Sequence, residues 1–199
     1  MIFEIFQILT EQVNRYFREV GLDDSEVVLD NIAFVDGPTD MAEAMRDKVV
    51  MSMVNFQEEP ALKNFPNHLK GDSQTVYRNP IVNIHVFALF SANRTQYAQA
   101  LKDVSVVMEY FQSKKVFTQA NTSYDREVSS MASVGPFRFT VDLFSPSFEE
   151  LNFIWGTLGG RQLPSVLYKI CLLPIQSGKA SGTGPLIETV ENSLKHRES

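Results

Sequence analysis

Residues 81–90 read Ile-Val-Asn-Ile-His-Val-Phe-Ala-Leu-Phe, and the alternation within this stretch decides the fold. Apolar side chains at every second position form one face, while Asn83 and His85 interrupt the other face. A period of two is the pattern of a β-strand with one buried face. Residues 49–57 are apolar on both faces, which predicts a second strand at the centre of a sheet that is covered on both sides.

Outward from these strands, the chain alternates between helical and extended patterns. Apolar residues at helical spacing predict a helix over 2–20 that stops at Gly21 and a second helix over 95–112 with Thr95 as its N-cap. The capping box from Ser147 to Glu150 opens a third helix. The apolar stripes of the second and third helices are expected to face the core, and they include Tyr97, Leu101, Val104, Met108, Phe111, Phe148 and Trp155. Further strands are predicted at 27–35, 114–118, 137–144 and 165–173. The order predicts an α+β fold, a mixed β-sheet flanked by helices, with the helices on one face of the sheet.

The C-terminal residues differ in composition from the rest of the chain. Residues 1–175 hold the predicted core and are interpreted as one domain, whereas residues 176–199 are interpreted as an extended C-terminal arm. Glycine and serine dominate the start of this arm, which is typical of a tether. Its few apolar residues are at near-helical spacing but also allow a short strand added to a partner's sheet; they are Leu186, Ile187, Val190 and Leu194.

Composition excludes several classes of protein. The chain has 199 residues, a net charge of −6 and one cysteine. This residue, Cys171, lies within a predicted strand and is expected to be a small buried hydrophobe. A single cysteine excludes an intrachain disulfide and a cysteine-rich zinc site. The chain also lacks the surplus of basic residues that is typical of nucleic-acid-binding proteins. No apolar run reaches the roughly 20 residues of a membrane span, and the first residues lack the basic flank of a signal peptide. We expect a protein made in the cytoplasm, with no nucleic-acid partner and no direct membrane insertion.

Catalytic patterns are nearly missing from the sequence. Adjacent Glu58 and Glu59 end a predicted strand, where neighbouring side chains point to opposite sides and do not readily share a proton. The three histidines have no metal-ligand spacing, and Gly178-Lys179 lacks the rest of a phosphate-binding loop. We therefore expect no catalytic residue, no metal and no cofactor. A small-molecule enzyme of α+β fold, with a site around Glu58, Asn79 and His85, is the alternative from another class.

An ordered set of short strings resembles one family. The strings are SMVNFQEEPALKN at 52–64, NPIVNI at 79–84, YAQAL at 97–101, YFQ at 110–112, ELNFIWG at 150–156 and LPSVLY at 163–168. Together they resemble the cap, or tail-terminator, family of extracellular contractile injection systems, which are phage-tail-like particles such as the antifeeding prophage and the virulence-cassette assemblies. The resemblance covers roughly the first 175 residues. Ile81 stands where the family pattern usually has a second proline.

The resemblance implies a structural protein that acts without catalysis and without a cofactor. Six copies would form a homohexameric ring at the distal end of a particle that is either released or docked on a membrane. The ring would stop polymerisation of the inner tube protein and cap the sheath protein. Another tube or baseplate adaptor of the same particle is the nearest alternative.

A ring of identical subunits needs two different patches on each subunit. The irregular stretches 58–79 and 119–135 are expected to supply these patches. Candidate contacts with a neighbouring subunit or the tube are Glu58, Glu59, Asn64 and Asn79. The apolar residues of the arm are the candidate contacts with the sheath.

Overall fold

The structure of the protein, a computed structural model, describes residues 1–60, 68–70, 74–79, 81–127, 131–132, 134–175 and 180–185. The helices are α1 (Ile2–Glu19), a 3₁₀ helix (Ile32–Phe34), α2 (Thr39–Ala44), α3 (Tyr97–Ser113) and α4 (Phe148–Thr157). The strands are β1 (Val27–Leu29), β2 (Lys48–Glu58), β3 (His68–Lys70), β4 (Gln74–Arg78), β5 (Val82–Asn93), β6 (Val116–Thr118), β7 (Arg138–Phe144), β8 (Ser165–Ile175) and β9 (Ala180–Pro185).

Six strands form a mixed sheet in the order β1-β2-β5-β8-β7-β6. Only β1 and β2 pair in parallel among these strands, and the other pairs are antiparallel. The strand with the clearest alternation, β5, pairs with β2 on one side and with β8 on the other. The predicted α+β fold is therefore confirmed, with residues 82–93 at its centre.

The first face of the sheet is covered by α1 and α3. Alternate β5 side chains from Ile84 to Phe90 enter this core, where the Phe111 ring lies 4.5 Å from that of Tyr168 and 5.5 Å from that of Phe90. The end of α1 is set by Gly21, which adopts a φ of 77° that other residues rarely tolerate. This face matches the prediction of an amphipathic first helix that stops at Gly21.

The second face is also covered, so the prediction that helices occupy one face is wrong. Phe87 and Leu89 of β5 pack here against Trp155 of α4, together with Met45 after α2 and Ile32. The physical reason is that β5 becomes apolar on both faces beyond His85, and burial of both faces needs two layers. The capping box that begins α4 is present as predicted.

Two boundaries of the predicted elements are wrong. The predicted strand 27–35 ends at Leu29, and the 3₁₀ helix follows because the Asn31 side chain accepts from Ala33 N and the Ser52 hydroxyl accepts from Ile32 N. The predicted cap Thr95 does not cap α3, which has Gln96 at its N-cap position.

Asparagine side chains occupy both outer edges of the six-stranded sheet. On the edge strand β1, the Asn14 amide donates to Val27 O at 2.8 Å and accepts from Val27 N at 2.6 Å. On the opposite edge strand β6, Asn121 donates to Val116 O at 3.0 Å and accepts from Thr118 N at 2.8 Å. These bonds occupy backbone groups that a strand from another molecule would need.

A second, three-stranded sheet lies where irregular chain was expected. Its order is β3-β4-β9, with both pairs antiparallel. The prediction that 58–79 lacks regular structure is therefore wrong over 68–70 and 74–78, and part of the predicted tether is strand β9. The C-terminal segment leaves β8 and adds β9 to β4, consistent with an extended arm. The apolar arm residues from Leu186 to Leu194 lie outside the described residues.

Trp155 tests whether the second face stabilises the fold. Its side chain is 4% exposed in the cluster with Phe87 and Leu167, which confirms its predicted place in the core. Trp155→Ala should lower the free energy of unfolding by about 3–5 kcal/mol, because it removes buried apolar surface and leaves a cavity. Chemical denaturation measures the change. Phe153→Ala, at a side chain that is 62% exposed on the same helix, is the control and should change stability little. Equal effects of the two variants would contradict this account.

Candidate interaction surfaces

The most buried charge in the described chain is the Asp103 carboxylate, which lies in α3 and is fully enclosed. The Arg94 side chain, 8% exposed, donates from Nε to Asp103 Oδ2 at 2.5 Å. Ser25 Oγ and Gln99 Nε2 donate to Asp103 Oδ1 at 2.8 and 3.0 Å. The carboxylate is therefore paired and hydrogen-bonded, as a buried charge must be.

Arg94 also bonds to the chain segments that precede β1 and β2. Its guanidinium donates to the carbonyl oxygens of Asp47 and Asp24, at 2.5 and 3.1 Å. Asp47 has a φ of 53°, and its Oδ1 accepts from Thr95 N at 2.8 Å. That hydrogen bond holds the pKa of the Asp47 carboxyl below its usual range. One arginine thus joins the segments that enter β1, β2 and α3.

Sequence reasoning missed this network, although a signal was present. Asp103 falls between Ala100 and Val107, at the spacing that brings residues to the same helix face. An acidic residue on a face that must be buried predicts a cationic partner nearby. Nothing in the enclosed network offers a position for a substrate, so we interpret it as structural.

Glu59, a predicted interface residue, contacts a side chain of its own chain, and whether it also contacts a partner stays a prediction. Its Oε2 lies 2.8 Å from Nε2 of His85, a side chain that is 7% exposed. The backbone N–H of Glu59 donates to Asn83 O at 2.8 Å, which extends the contact between β2 and β5. We interpret the pair as a tie between the end of β2 and the start of β5. Charge reversal at Glu59 would disturb this tie as well as any interface.

The other predicted interface residues that the structure describes, Glu58 and Asn79, lie at strand ends. Glu58 is exposed at the end of β2, and Asn79 is half-buried between β4 and β5. Asn64 lies outside the described residues. Whether these residues contact a partner stays a prediction.

Cys171 was expected to be a buried small hydrophobe, but it is half-buried. Burial nevertheless raises the pKa of its thiol, so that little of the reactive thiolate is present.

Within the described ranges, no group of three or more histidine, cysteine, aspartate or glutamate residues could hold a metal ion. Across the same ranges, no helix is long and apolar enough to cross a membrane.

One apolar stripe of α3 faces away from the core. Tyr97 is 68% exposed, and Leu101 and Met108 are also exposed. The predicted buried stripe included these three residues, which is wrong, and Phe111, which is buried. The inward positions include Ala100, Val107, Tyr110 and Phe111. Because α3 carries apolar residues on two stripes, periodicity alone does not identify the buried one.

A second apolar surface is the groove between β2 and α4. Met53 and Phe56 of β2 and Phe153 of α4 are exposed along it, with Phe87 and Leu167 among the residues that line it. Phe148, which the helical pattern placed with the core, is almost fully exposed at the start of α4. Exposed aromatic and methionine side chains are enriched at protein interfaces rather than at catalytic sites.

Comparisons with known proteins identify a family and a shared fold. A family model described as the Pvc16 N-terminal domain matches residues 4–189. A solved sheath/tube terminator of an extracellular contractile injection system, termed PVC and in its extended state, shares the fold with a TM-score of 0.61 at 14% identity. A tube-terminating cap of the anti-feeding prophage shares it with a TM-score of 0.56 at 15% identity. No match was found among curated proteins.

The two solved structures are longer than this chain. The match covers 100% of this chain and 65% of the PVC terminator, and 92% of this chain and 59% of the anti-feeding prophage cap. At these identities the likeness shows a shared fold.

The buried pair of Arg94 and Asp103 can be compared with an exposed pair of the same residue types. Asp103→Ala leaves the Arg94 guanidinium buried without its carboxylate, so the free energy of unfolding should fall by about 3–5 kcal/mol. The control is Asp36→Ala, because Asp36 pairs with Arg161 at 2.9 Å while both side chains remain exposed. Loss of this exposed ion pair should lower the free energy of unfolding by at most about 1 kcal/mol. Denaturant unfolding measures both, and similar losses would show that the buried network does not hold the fold.

Proposed function

Because this chain belongs to the Pvc16 N-terminal domain family, we propose that it is a structural cap of a phage-tail-like contractile injection system. Six copies form a ring that ends the inner tube and secures the distal end of the sheath. The observation that carries the proposal is the family match across residues 4–189. The fold shared with a sheath/tube terminator and a tube-terminating cap supports it.

The proposed partners are further copies of this chain, the inner tube protein and the sheath protein. Glu58, Asn64 and Asn79 are proposed to contact a neighbouring subunit or the tube. Glu58 is exposed at the end of a long strand, where a partner can reach it. Glu59 contributes indirectly, by holding the end of β2 against His85.

The C-terminal arm, residues 176–199, is proposed to hold the sheath. Its strand β9 pairs with β4 from Gln74 to Arg78, which attaches the base of the arm to the folded chain. The 14 residues after Pro185 include Leu186, Ile187, Val190 and Leu194. Fully extended, 14 residues span at most about 50 Å, enough to reach a neighbouring protein layer.

We place the protein at the distal end of the particle, after synthesis in the cytoplasm. One of the two structurally similar terminators belongs to an extracellular contractile injection system, which supports a position on a particle of that kind. The role requires no catalysis and no cofactor, since ending a polymer requires only that the last layer offers no site for the next.

Tube growth tests the capping role. Purified chain added to polymerising inner tube protein should shorten the tubes and appear as a ring at one end in electron micrographs. The reason is that a bound ring blocks the site of the next tube layer. Chain that is unfolded by heat before addition is the control and should leave tube length unchanged. If tubes grown with folded chain were as long as tubes grown without it and had bare ends, the proposal would be contradicted. Density for the chain at the baseplate end of the tube would favour the adaptor alternative.

Truncation tests the arm separately from the cap. A chain that ends at Pro185 keeps β9 and should fold and shorten tubes normally, while particles that contain it should have loose or detached distal sheaths. A chain that ends at Ile175 is the comparison, because it also loses the β4–β9 pairing. Electron microscopy of particles measures sheath attachment. A firmly attached sheath with both truncations would show that the folded chain alone holds the sheath.

A further inference from the structure

This inference rests on the proposed ring and concerns how its subunits meet. β1 and β6 are the two edge strands of the six-stranded sheet, so they lie at opposite ends of its strand order. Asn14 and Asn121 occupy outward backbone groups of these strands. A sheet that runs continuously from one subunit to the next would have to break these bonds. Subunits that meet at these edges therefore meet through side chains.

The β1 side of the molecule is acidic. Between residues 23 and 47 the chain has eight carboxylates and a single cation, Arg46, and all eight carboxylates are exposed. Asp23 and Glu43 form no ion pair or side-chain hydrogen bond within the described residues. Phe34 and Met41, in the same connection from β1 to β2, are 44% and 50% exposed. We call residues 23–47 the acidic side.

The β6 side has the opposite charge. Lys114 and Lys115 lead into β6, Arg138 begins the neighbouring β7, and residues 113–118 contain no carboxylate. The side chains of Lys115 and Arg138 are exposed and form no ion pair in the part of the chain that the structure describes. Val116 between them is 40% exposed. We call Lys114, Lys115, Val116 and Arg138 the basic side. The nearest carboxylate along β7 is Asp142.

We infer that the acidic side of one subunit packs against the basic side of the next copy of this chain, and that the ring closes through this head-to-tail contact. A cyclic ring requires two different patches that complement each other. Here the patches lie at opposite ends of one sheet, carry opposite charge and each include exposed apolar side chains. Protein interfaces usually have an apolar centre and a polar or charged rim. Complementary charges across an interface also favour the correct partner.

Charge reversal at each side tests the contact. Lys115→Glu with Arg138→Glu makes both sides acidic. Reversal of four exposed carboxylates to lysine, at Asp23, Asp24, Asp40 and Glu43, leaves four carboxylates against five cations and makes both sides basic. Each variant should associate with itself at least tenfold more weakly than the parent at low salt. The chain with all six changes restores opposite charges and should form rings again, as should an equimolar mixture of the two reversal variants. Sedimentation velocity and electron microscopy measure ring formation, with inner tube present as well as absent.

Matched controls separate this contact from general effects of charge. Arg18→Glu with Lys102→Glu changes the net charge by the same amount as the reversal of Lys115 and Arg138, through exposed cations of α1 and α3, and should leave rings intact. Thermal melting confirms that each variant folds. Rings that survive both reversals, or reversal variants that lose rings without restoration by the combined variant and the mixture, would overturn this contact but leave the proposed cap standing. A parent chain that never forms rings, even on tubes, would overturn both.

Discussion

The rest of the structure depends on one constraint, the burial of β5 on both faces. A strand with Val86, Ala88 and Phe90 on one side and Phe87 and Leu89 on the other exposes apolar surface wherever a layer is missing. β2 and β8 satisfy its backbone, α1 and α3 cover the first face, and α4 with the β1–β2 connection covers the second. The architecture follows from this requirement, since a single layer of helices would leave half of the strand in water.

Charged side chains then hold together the chain segments that connect these layers. The guanidinium of Arg94 bonds to groups that precede β1 and β2 and to Asp103 within α3, so the fold places three separate chain segments around one buried cation. Such a network contributes by fixing geometry, because desolvation of the ions offsets much of their attraction. The asparagines at the sheet edges have a similar role at the surface, where they define where the sheet ends.

Much of the core could be predicted from sequence, because alternation and helical spacing report burial directly. This holds for β2, β5, β7 and β8, for α1 with its stop at Gly21, and for the capping box that begins α4. The errors have physical causes. The exposed stripe of α3 is as apolar as its buried stripe, and β4 and β9 are short polar strands whose pairing depends on chain that is distant in sequence.

The candidate site was less predictable than the core. Glu59 was assigned to an interface, yet its carboxylate contacts His85, a residue 26 positions along the chain. Interfaces leave weak traces in one sequence, because an exposed Tyr97 or Phe153 follows the same helical pattern as a buried residue. The opposite charge of the two sheet ends becomes visible only after the strand order places β1 and β6 at opposite edges.

The central claim is that this chain is the terminal ring of a contractile particle. Cryo-electron microscopy of intact particles that carry a fused marker domain on this chain tests it most directly. The account predicts six marker densities in one ring at the end of the tube opposite the baseplate, with the chain in contact with the last tube and sheath layers. Marker density at the baseplate, along the sheath, or missing from assembled particles would contradict it.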